Sequence, residues 1–327
     1  MSTKPTVLVF LATSRQGSAT IDALLASGKF KVAGTTRSGA SPALAAKGVD
    51  MFPFKMGDQA SAEAAIQASG ASLVWFTTLM QPTRAKEAAH GTSIVDACLA
   101  SNAVQHVVFS SVADADKAPD AVAHFKSKYD IENHLKASGL AFSILRPVAF
   151  FENFDDPNNW NALAKGSIKG LWPASLSVLC VATADIGKAG AVMLANPAAW
   201  AGQTLDCASE AVDGTQLAAA LTQASGVESS YALAMPPLAI KLFLNDLHHM
   251  IAFFADPGFS CDPAALKAVV PDALGIDAWL AAKGHWADGE PFMPLTKGQA
   301  PAKPPSGNFK KVLFLGGAVA LGAIFFF

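Results

Sequence analysis

Short apolar runs of strand length recur along the first half of the chain, and the segments between them carry apolar residues at three- and four-residue spacing. The runs occupy residues 7–10, 31–35, 73–76, 106–109 and 142–145, and the helical segments occupy residues 20–26, 61–68, 92–100 and 129–136. Strands that alternate with helices are typical of a buried parallel sheet. The pattern therefore predicts an α/β fold with a doubly wound parallel sheet over residues 1–150, which would bind ligands at the carboxyl ends of its strands.

The alternation becomes less regular after Pro147. Helical spacing returns at residues 186–194 and 215–224, separated by short apolar runs, which predicts a smaller α/β substrate lobe over residues 151–296. Residues 297–308, KGQAPAKPPSGN, are rich in Pro, Gly and Lys and cannot pack into a core. This stretch is predicted to be a flexible linker.

The last segment, residues 309–327, is apolar and includes sixteen consecutive residues without a charge, preceded by Lys310 and Lys311. As a helix those sixteen residues would be about 24 Å long, slightly short of a hydrocarbon core of roughly 30 Å. We expect a C-terminal apolar helix that anchors the protein to a membrane and keeps it on the cytoplasmic side. The alternative is that the segment docks into a groove of the core or into an oligomer interface.

Charge and cysteine usage exclude several classes of function. The net charge is -2 and the basic residues form no stripe, so nucleic-acid binding is not expected. The four cysteines form no CxxC pair, which indicates free thiols. His248 and His249 with Asp246 lack further ligands at useful spacing, and adjacent histidines diverge by about 100° on a helix, so no metal site is predicted.

The loop after the first apolar run resembles a known dinucleotide-binding turn. Residues 11–25, LATSRQGSATIDALL, are similar to the GATGxQGGSVxxALL pattern of the NmrA-like family. Residues 106–118 (HVVFSSVADADKA), 124–140 (HFKSKYDIENHLKASGL) and 144–154 (ILRPVAFFENF) resemble later blocks of that family. The resemblance implies a Rossmann fold of the short-chain dehydrogenase/reductase superfamily that binds NADP(H), and it covers most of residues 5–240.

The turn departs from the family pattern at two of three glycines, because Leu11 and Ser14 stand in their place and only Gly17 remains. A leucine is expected to avoid positive φ and to add bulk where phosphate oxygens approach. Ser14 is less disruptive, because its hydroxyl can donate to a phosphate at a helix N-terminus. A degenerate turn that has lost its ligand is therefore the alternative to a working site.

The resemblance assigns a set of residues to the cofactor. Arg37 follows the second strand, where a basic residue meets the 2′-phosphate, so NADP is favoured over NAD. Arg15 lies inside the turn and would add a phosphate contact. The expected cofactor residues are Ala12, Thr13, Ser14, Arg15, Gln16, Gly17, Arg37, Asp58, Thr77, Lys128, Pro147 and Phe150.

The catalytic residues implied by the resemblance are His124, Lys128 and Ser111. His124 stands where the superfamily has a tyrosine, and the i, i+4 spacing puts it on the helix face of Lys128. Histidine titrates near neutrality and can act as a general acid or base. Phe150 and Asn153 are expected to contact substrate.

Two functions remain open from the sequence. The first is a membrane-tethered NADP(H)-dependent oxidoreductase that acts on a small apolar carbonyl or enone. The second is a non-catalytic dinucleotide sensor or scaffold that binds a protein partner. The sequence leaves the oligomeric state undetermined.

Overall fold

A seven-stranded parallel sheet forms the centre of the computed structural model, which describes residues 4–154, 167–226 and 228–283. Its strands are β1 (Thr6–Val9), β2 (Lys31–Thr36), β3 (Asp50–Pro53), β4 (Leu73–Phe76), β5 (His106–Ser110), β6 (Phe142–Pro147) and β10 (Thr204–Cys207). They lie in the order β10-β6-β5-β4-β1-β2-β3, and each neighbouring pair is parallel. The predicted α/β fold with a parallel central sheet is confirmed.

Helices cover both faces of this sheet, and several of them begin at short polar side chains. Ser14, Asp58 and Thr83 each accept a hydrogen bond from a backbone N–H in the first turn of the helix that follows. The helices on the two faces of the sheet are α1 (Arg15–Ser27), α2 (Pro42–Ala46), α3 (Gln59–Ser69), α4 (Arg84–Ser101), α5 (Ala123–Ala137), α6 (Thr183–Ala195) and α7 (Pro197–Trp200).

The strands that apolar runs predicted are those buried on both faces. Every residue of β4 and β5 is buried, so their sequences read as continuous apolar segments. In contrast, β3 and β10 were not predicted. Each is a four-residue strand at an edge of the sheet with partly exposed residues, and such a strand carries little periodic signal.

The sheet has a topological switch point between β1 and β4. The chain runs outward from β1 through β2 to β3, then crosses back to place β4 on the other side of β1. Ligands of open α/β sheets bind at the carboxyl ends of the strands at such a crevice. Two segments border it, the turn at residues 11–17 and the loop that follows β4 at residues 77–81.

The chain beyond Phe150 builds a second core and also returns to the sheet. The second core lies among the later elements. It contains Phe151, Trp172, Phe253 and Trp279 together with neighbouring aliphatic side chains. Strand β10 pairs with β6, and helix α6 packs along α1. The later elements are β7 (Ala149–Phe150), a 3-10 turn (Phe151–Phe154), β8 (Ser167–Gly170), β9 (Val178–Val181), β11 (Glu210–Val212), α8 (Gly214–Ser225), β12 (Ser230–Leu233), α9 (Pro237–Phe243), α10 (Asn245–Ala255), α11 (Pro263–Val269) and α12 (Ile276–Lys283).

Two small sheets accompany this second core. Strands β11, β9 and β7 form one, and β12 with β8 forms the other. The predicted linker at residues 297–308 and the apolar segment at residues 309–327 lie outside the described residues. Among the helices that the structure describes, none combines the length and the apolar character needed to cross a bilayer.

Candidate functional site

The turn between β1 and α1 keeps the backbone shape that the missing glycine would have provided. Leu11 lies in the left-handed region at φ 55°. Its N–H donates to Thr35 Oγ1 at 3.2 Å, and the next N–H, of Ala12, donates to Thr35 O at 3.0 Å. The expectation that a leucine would avoid this conformation is therefore wrong. Contacts with β2 hold it there, against an intrinsic cost of about 1–2 kcal/mol.

The side chain of Leu11 is half-buried and packs against an apolar cluster between the sheet and helices α3 to α5. The bulk expected in the path of a phosphate is therefore directed into the core. Ser14 caps the start of α1, because its Oγ accepts from the Gly17 N–H at 3.0 Å. Thr13, between them, is exposed.

Gly17 is the one glycine of the pattern that the turn cannot replace. A Cβ at this position would lie 2.3 Å from the carbonyl oxygen of Leu11, which is backbone and cannot move aside cheaply. The first turn of α1 therefore packs directly on the loop. This contact presents the N-terminus of a thirteen-residue helix to the crevice at the carboxyl ends of the strands.

Several predicted cofactor residues contact one another or neighbouring backbone. Gln16 is buried, and its Oε1 accepts from Ser110 Oγ at 2.6 Å. Arg15 donates from Nη1 to Asn153 Oδ1 at 2.7 Å, which joins a predicted phosphate contact to a predicted substrate residue. Thr77 is buried and donates to the carbonyl of Ser110 at 3.0 Å.

The remaining predicted cofactor residues differ in exposure. Arg37 is exposed at the carboxyl end of β2. Asp58 caps α3 by accepting from the Ser61 N–H at 3.1 Å. Pro147 and Phe150 are buried, and Phe150 packs in the core between the sheet and α6, so it offers little surface to a ligand.

Lys128 forms a buried ion pair that the sequence did not indicate. Its Nζ lies 2.6 Å from Glu87 Oε1 and 3.2 Å from Thr78 Oγ1, and the Thr78 hydroxyl donates to the same glutamate oxygen at 2.8 Å. The side chains of Lys128 and Glu87 are 4% and 1% exposed. The ammonium of Lys128, which the resemblance assigns to the cofactor, is thus engaged with a carboxylate from α4.

His124 is held by an aspartate from the second core. Its Nδ1 lies 2.5 Å from Asp246 Oδ2, and the other oxygen of that carboxylate accepts from the Ala123 N–H at 2.6 Å. Val122, at the N-cap of α5, supplies no side-chain cap, so Asp246 of α10 caps the helix from outside. This contact fixes the imidazole ring at the first turn of α5.

A cavity of about 310 Å³ lies beside His124. Its wall combines the loop after β4 (Met80 to Arg84), the start of α5, and the junction of α9 with α10 from Phe243 to Leu247. Ser111 lies at the end of β5, where its buried Oγ has no hydrogen-bond partner among the described residues. The pocket is at the lower end of the size range of small-molecule sites.

A family model described as the NmrA-like family matches residues 3–277. The chain belongs to the NmrA-like family. The solved structures similar to this NmrA-like chain share its fold, at sequence identities too low to carry function. The NADPH-dependent quinone oxidoreductase of Escherichia coli, complexed with NADPH, has 22% identity and a TM-score of 0.66, covering 83% of this chain and 97% of that one.

Two further structures extend the comparison. The triphenylmethane reductase of Citrobacter sp., complexed with NADP(H), has 17% identity and a TM-score of 0.68, covering 83% of this chain and 97% of that one. NmrA, a negative transcriptional regulator in complex with NAD, has 17% identity and a TM-score of 0.70, with 89% and 99% coverage. The fold is thus shared by reductases and by a regulator.

Sequence reasoning missed the partners of both residues on α5 of this NmrA-like chain. Glu87 lies 41 positions from Lys128, and Asp246 lies 122 positions from His124. No spacing rule connects residues so far apart, and the local sequence around Asp246 suggested only a rejected metal site. In the part of the chain that the structure describes, no group of three or more His, Cys, Asp or Glu side chains could hold a metal ion.

Proposed function

We propose that this protein is an NADP(H)-dependent oxidoreductase, tethered to the cytoplasmic side of a membrane, that reduces a small apolar carbonyl or enone. One observation carries the proposal. His124, held by Asp246 at 2.5 Å, lies in the wall of a cavity of about 310 Å³ at the carboxyl side of the sheet. A positioned imidazole beside a small cavity is the arrangement that general acid catalysis requires.

The crevice between β1 and β4 fits a dinucleotide. The left-handed backbone at Leu11 and the bare Cα of Gly17 together preserve the turn, so the α1 N-terminus can face a pyrophosphate. In this proposal Ser14 and Arg15 contact the phosphates and Arg37 the 2′-phosphate. The loop that follows β4, which includes Thr77, would then lie near the nicotinamide end of the dinucleotide. When bound, the cofactor supplies a hydride.

The chain's own residues complete the reduction. His124, protonated, would donate a proton to the oxygen of a carbonyl whose carbon accepts the hydride, which gives an alcohol. With an enone it would donate the proton to the α-carbon while the β-carbon accepts the hydride, which gives a saturated ketone. Asp246 holds the ring and stabilises its orientation. The ion pair of Lys128 with Glu87, together with Thr78, fixes the loop after β4 against α5. Met80 and Leu244 contribute apolar side chains to the cavity wall.

Replacing Arg37 with alanine is expected to weaken NADPH binding about ten- to hundredfold, because a charge-assisted hydrogen bond to the 2′-phosphate is lost. NADH, which lacks that phosphate, should bind equally well to both proteins. Calorimetric titration with both nucleotides measures the difference. Lys29→Ala, an exposed basic residue before the opposite end of β2, is the matched control. Equal weakening for NADPH and NADH would exclude the assigned role.

Replacing His124 with asparagine is expected to lower turnover about 10²- to 10⁴-fold while NADPH affinity stays unchanged, since the proton donor is removed and the turn is untouched. The assay follows NADPH oxidation with a panel of quinones and enones. His134→Asn, on the same helix and paired with Asp96 at 2.7 Å, is the control. An unaffected rate would remove His124 from the reaction.

A non-catalytic dinucleotide sensor or scaffold is the second candidate. The observation that favours it is the buried pair of Lys128 with Glu87 at 2.6 Å, which engages the ammonium that the family resemblance assigns to the cofactor. NADPH binding without oxidation of the nucleotide by any member of the panel would support this candidate. In that case a protein partner replaces the small-molecule substrate.

Deleting residues 309–327 is expected to move the protein from the membrane pellet to the supernatant, because the apolar segment after Lys310 and Lys311 is the proposed anchor. Fractionation followed by immunoblotting measures the shift, and deletion of the linker at residues 297–308 alone serves as the control. A truncated protein that still pellets would show that the tail is not the anchor.

A further inference from the structure

Exposed large hydrophobic side chains are concentrated on one short helix. Leu238, Leu242 and Phe243 of α9 (Pro237–Phe243) are 66%, 65% and 69% exposed. Leu233, at the end of β12, adds a fourth at 37%. Leu238 and Leu242 are four residues apart and therefore lie on the same face of the helix. We call Leu233, Leu238, Leu242 and Phe243 the α9 patch.

The α9 patch meets the cavity that contains His124 at one residue, Phe243. Phe243 lines the cavity and is also more than two-thirds exposed, so its ring forms part of the rim. The adjacent Leu244 is buried and continues the same wall inward. Whatever covers the patch therefore also faces the entrance to the proposed active site.

The size of the α9 patch does not suit a second copy of the chain. A helix of seven residues is about 10 Å long, and its few exposed side chains offer a few hundred Å² of apolar surface. A stable dimer buries roughly 800 Å² on each partner. A bilayer needs no such area, because a short apolar helix face can enter the boundary between headgroups and acyl chains.

Charge and sequence both favour a bilayer as the occupant. Lys241 is exposed on the same helix, three residues after Leu238, where its long stem lets the ammonium reach anionic headgroups. The chain continues beyond Lys283 through the Pro- and Gly-rich residues 297–308 to the apolar residues 312–327. A tail in the membrane would keep the α9 patch close to the lipid surface.

We propose that α9 inserts its patch into the headgroup and acyl boundary of the membrane, so that the His124 cavity opens toward lipid. This deepens the proposed function by assigning a substrate class, namely apolar enones or quinones dissolved in the bilayer. The membrane contact itself does not depend on catalysis.

The test places photoreactive benzoylphenylalanine at position 242 of the full-length protein, bound to vesicles of equal parts phosphatidylcholine and phosphatidylserine. Position 99 is the matched control, because Leu99 is 48% exposed on α4, away from the patch. The lipid adduct at 242 should exceed that at 99 about tenfold or more, since burial of one leucine is worth at least that factor in population. Adducts from position 242 to a second copy of the chain or to residues 312–327 would overturn the proposal. A lipid adduct at 242 no larger than that at 99 would overturn it as well.

A second measurement separates this proposal from the catalytic one. Leu238→Ser with Leu242→Ser should raise the KM for a long-chain quinone held in the vesicles about tenfold, and leave the KM for a water-soluble quinone and the affinity for NADPH unchanged. If the double variant and the parent protein had the same KM for the long-chain quinone, the proposed substrate class would be overturned. Lipid adducts at 242 without turnover of either quinone would retain the membrane contact and reject the oxidoreductase.

Discussion

Replacing Glu87 with alanine is expected to lower the free energy of unfolding by about 3–5 kcal/mol, because the variant leaves the ammonium of Lys128 in the interior without its carboxylate. Both side chains are almost completely buried, and their charged atoms are 2.6 Å apart. Thr78 offers Lys128 a neutral hydroxyl, which does not replace the lost charge. Denaturant unfolding followed by circular dichroism measures the change.

Two further variants make this result interpretable. Glu63→Ala, at a partly exposed position of α3, should change stability by less than about 0.5 kcal/mol, as surface substitutions usually do. Glu87→Leu combined with Lys128→Met should recover most of the loss, because apolar side chains of similar size often replace a buried pair at no cost. A loss of under about 1 kcal/mol for Glu87→Ala would mean that water reaches the pair.

The sheet was predictable because its central strands have a simple hydrophobic pattern in the sequence. Strands β4 and β5 are buried on both faces, so they appear as apolar runs with helical spacing between them. The edge strands β3 and β10 have no such pattern. The return of β10 to the sheet from beyond Phe150 also depends on long-range pairing with β6, which no local pattern contains.

The candidate site was predictable in its residue types and less so in its contacts. The turn pattern located Gly17, yet the tolerance of Leu11 for φ 55° follows from Thr35 and from the apolar cluster on which the leucine packs. These contacts override the local preference of a leucine. The spacing of His124 and Lys128 was visible, whereas Asp246 and Glu87 come from helices distant in sequence.

The contact between His124 and Asp246 also ties the two cores to each other. The same carboxylate orients the imidazole and caps α5, and it belongs to the helix that follows α9. A displacement of α9 and α10 would therefore move the ring of His124 as well as the rim of the cavity. This coupling makes the position of the later helices part of the catalytic geometry in the proposed function.

Replacing Gly17 with alanine is expected to abolish NADPH binding and to cost about 1–3 kcal/mol of stability, since the new methyl group overpacks the turn. The Cβ would lie 2.3 Å from the carbonyl oxygen of Leu11, so α1 must shift away from the loop. That shift displaces the N–H groups at the start of α1 from the crevice. Calorimetric titration with NADPH and thermal unfolding measure the two effects.

Ser18→Ala, at the next residue of α1, removes only a local hydrogen bond to the Arg15 carbonyl and should leave both measurements nearly unchanged. Leu11→Gly should retain binding, because glycine adopts the same left-handed conformation without strain. If Gly17→Ala bound NADPH as tightly as the parent protein, the pyrophosphate could not lie over this turn. The dinucleotide site would then have to be sought elsewhere on the sheet.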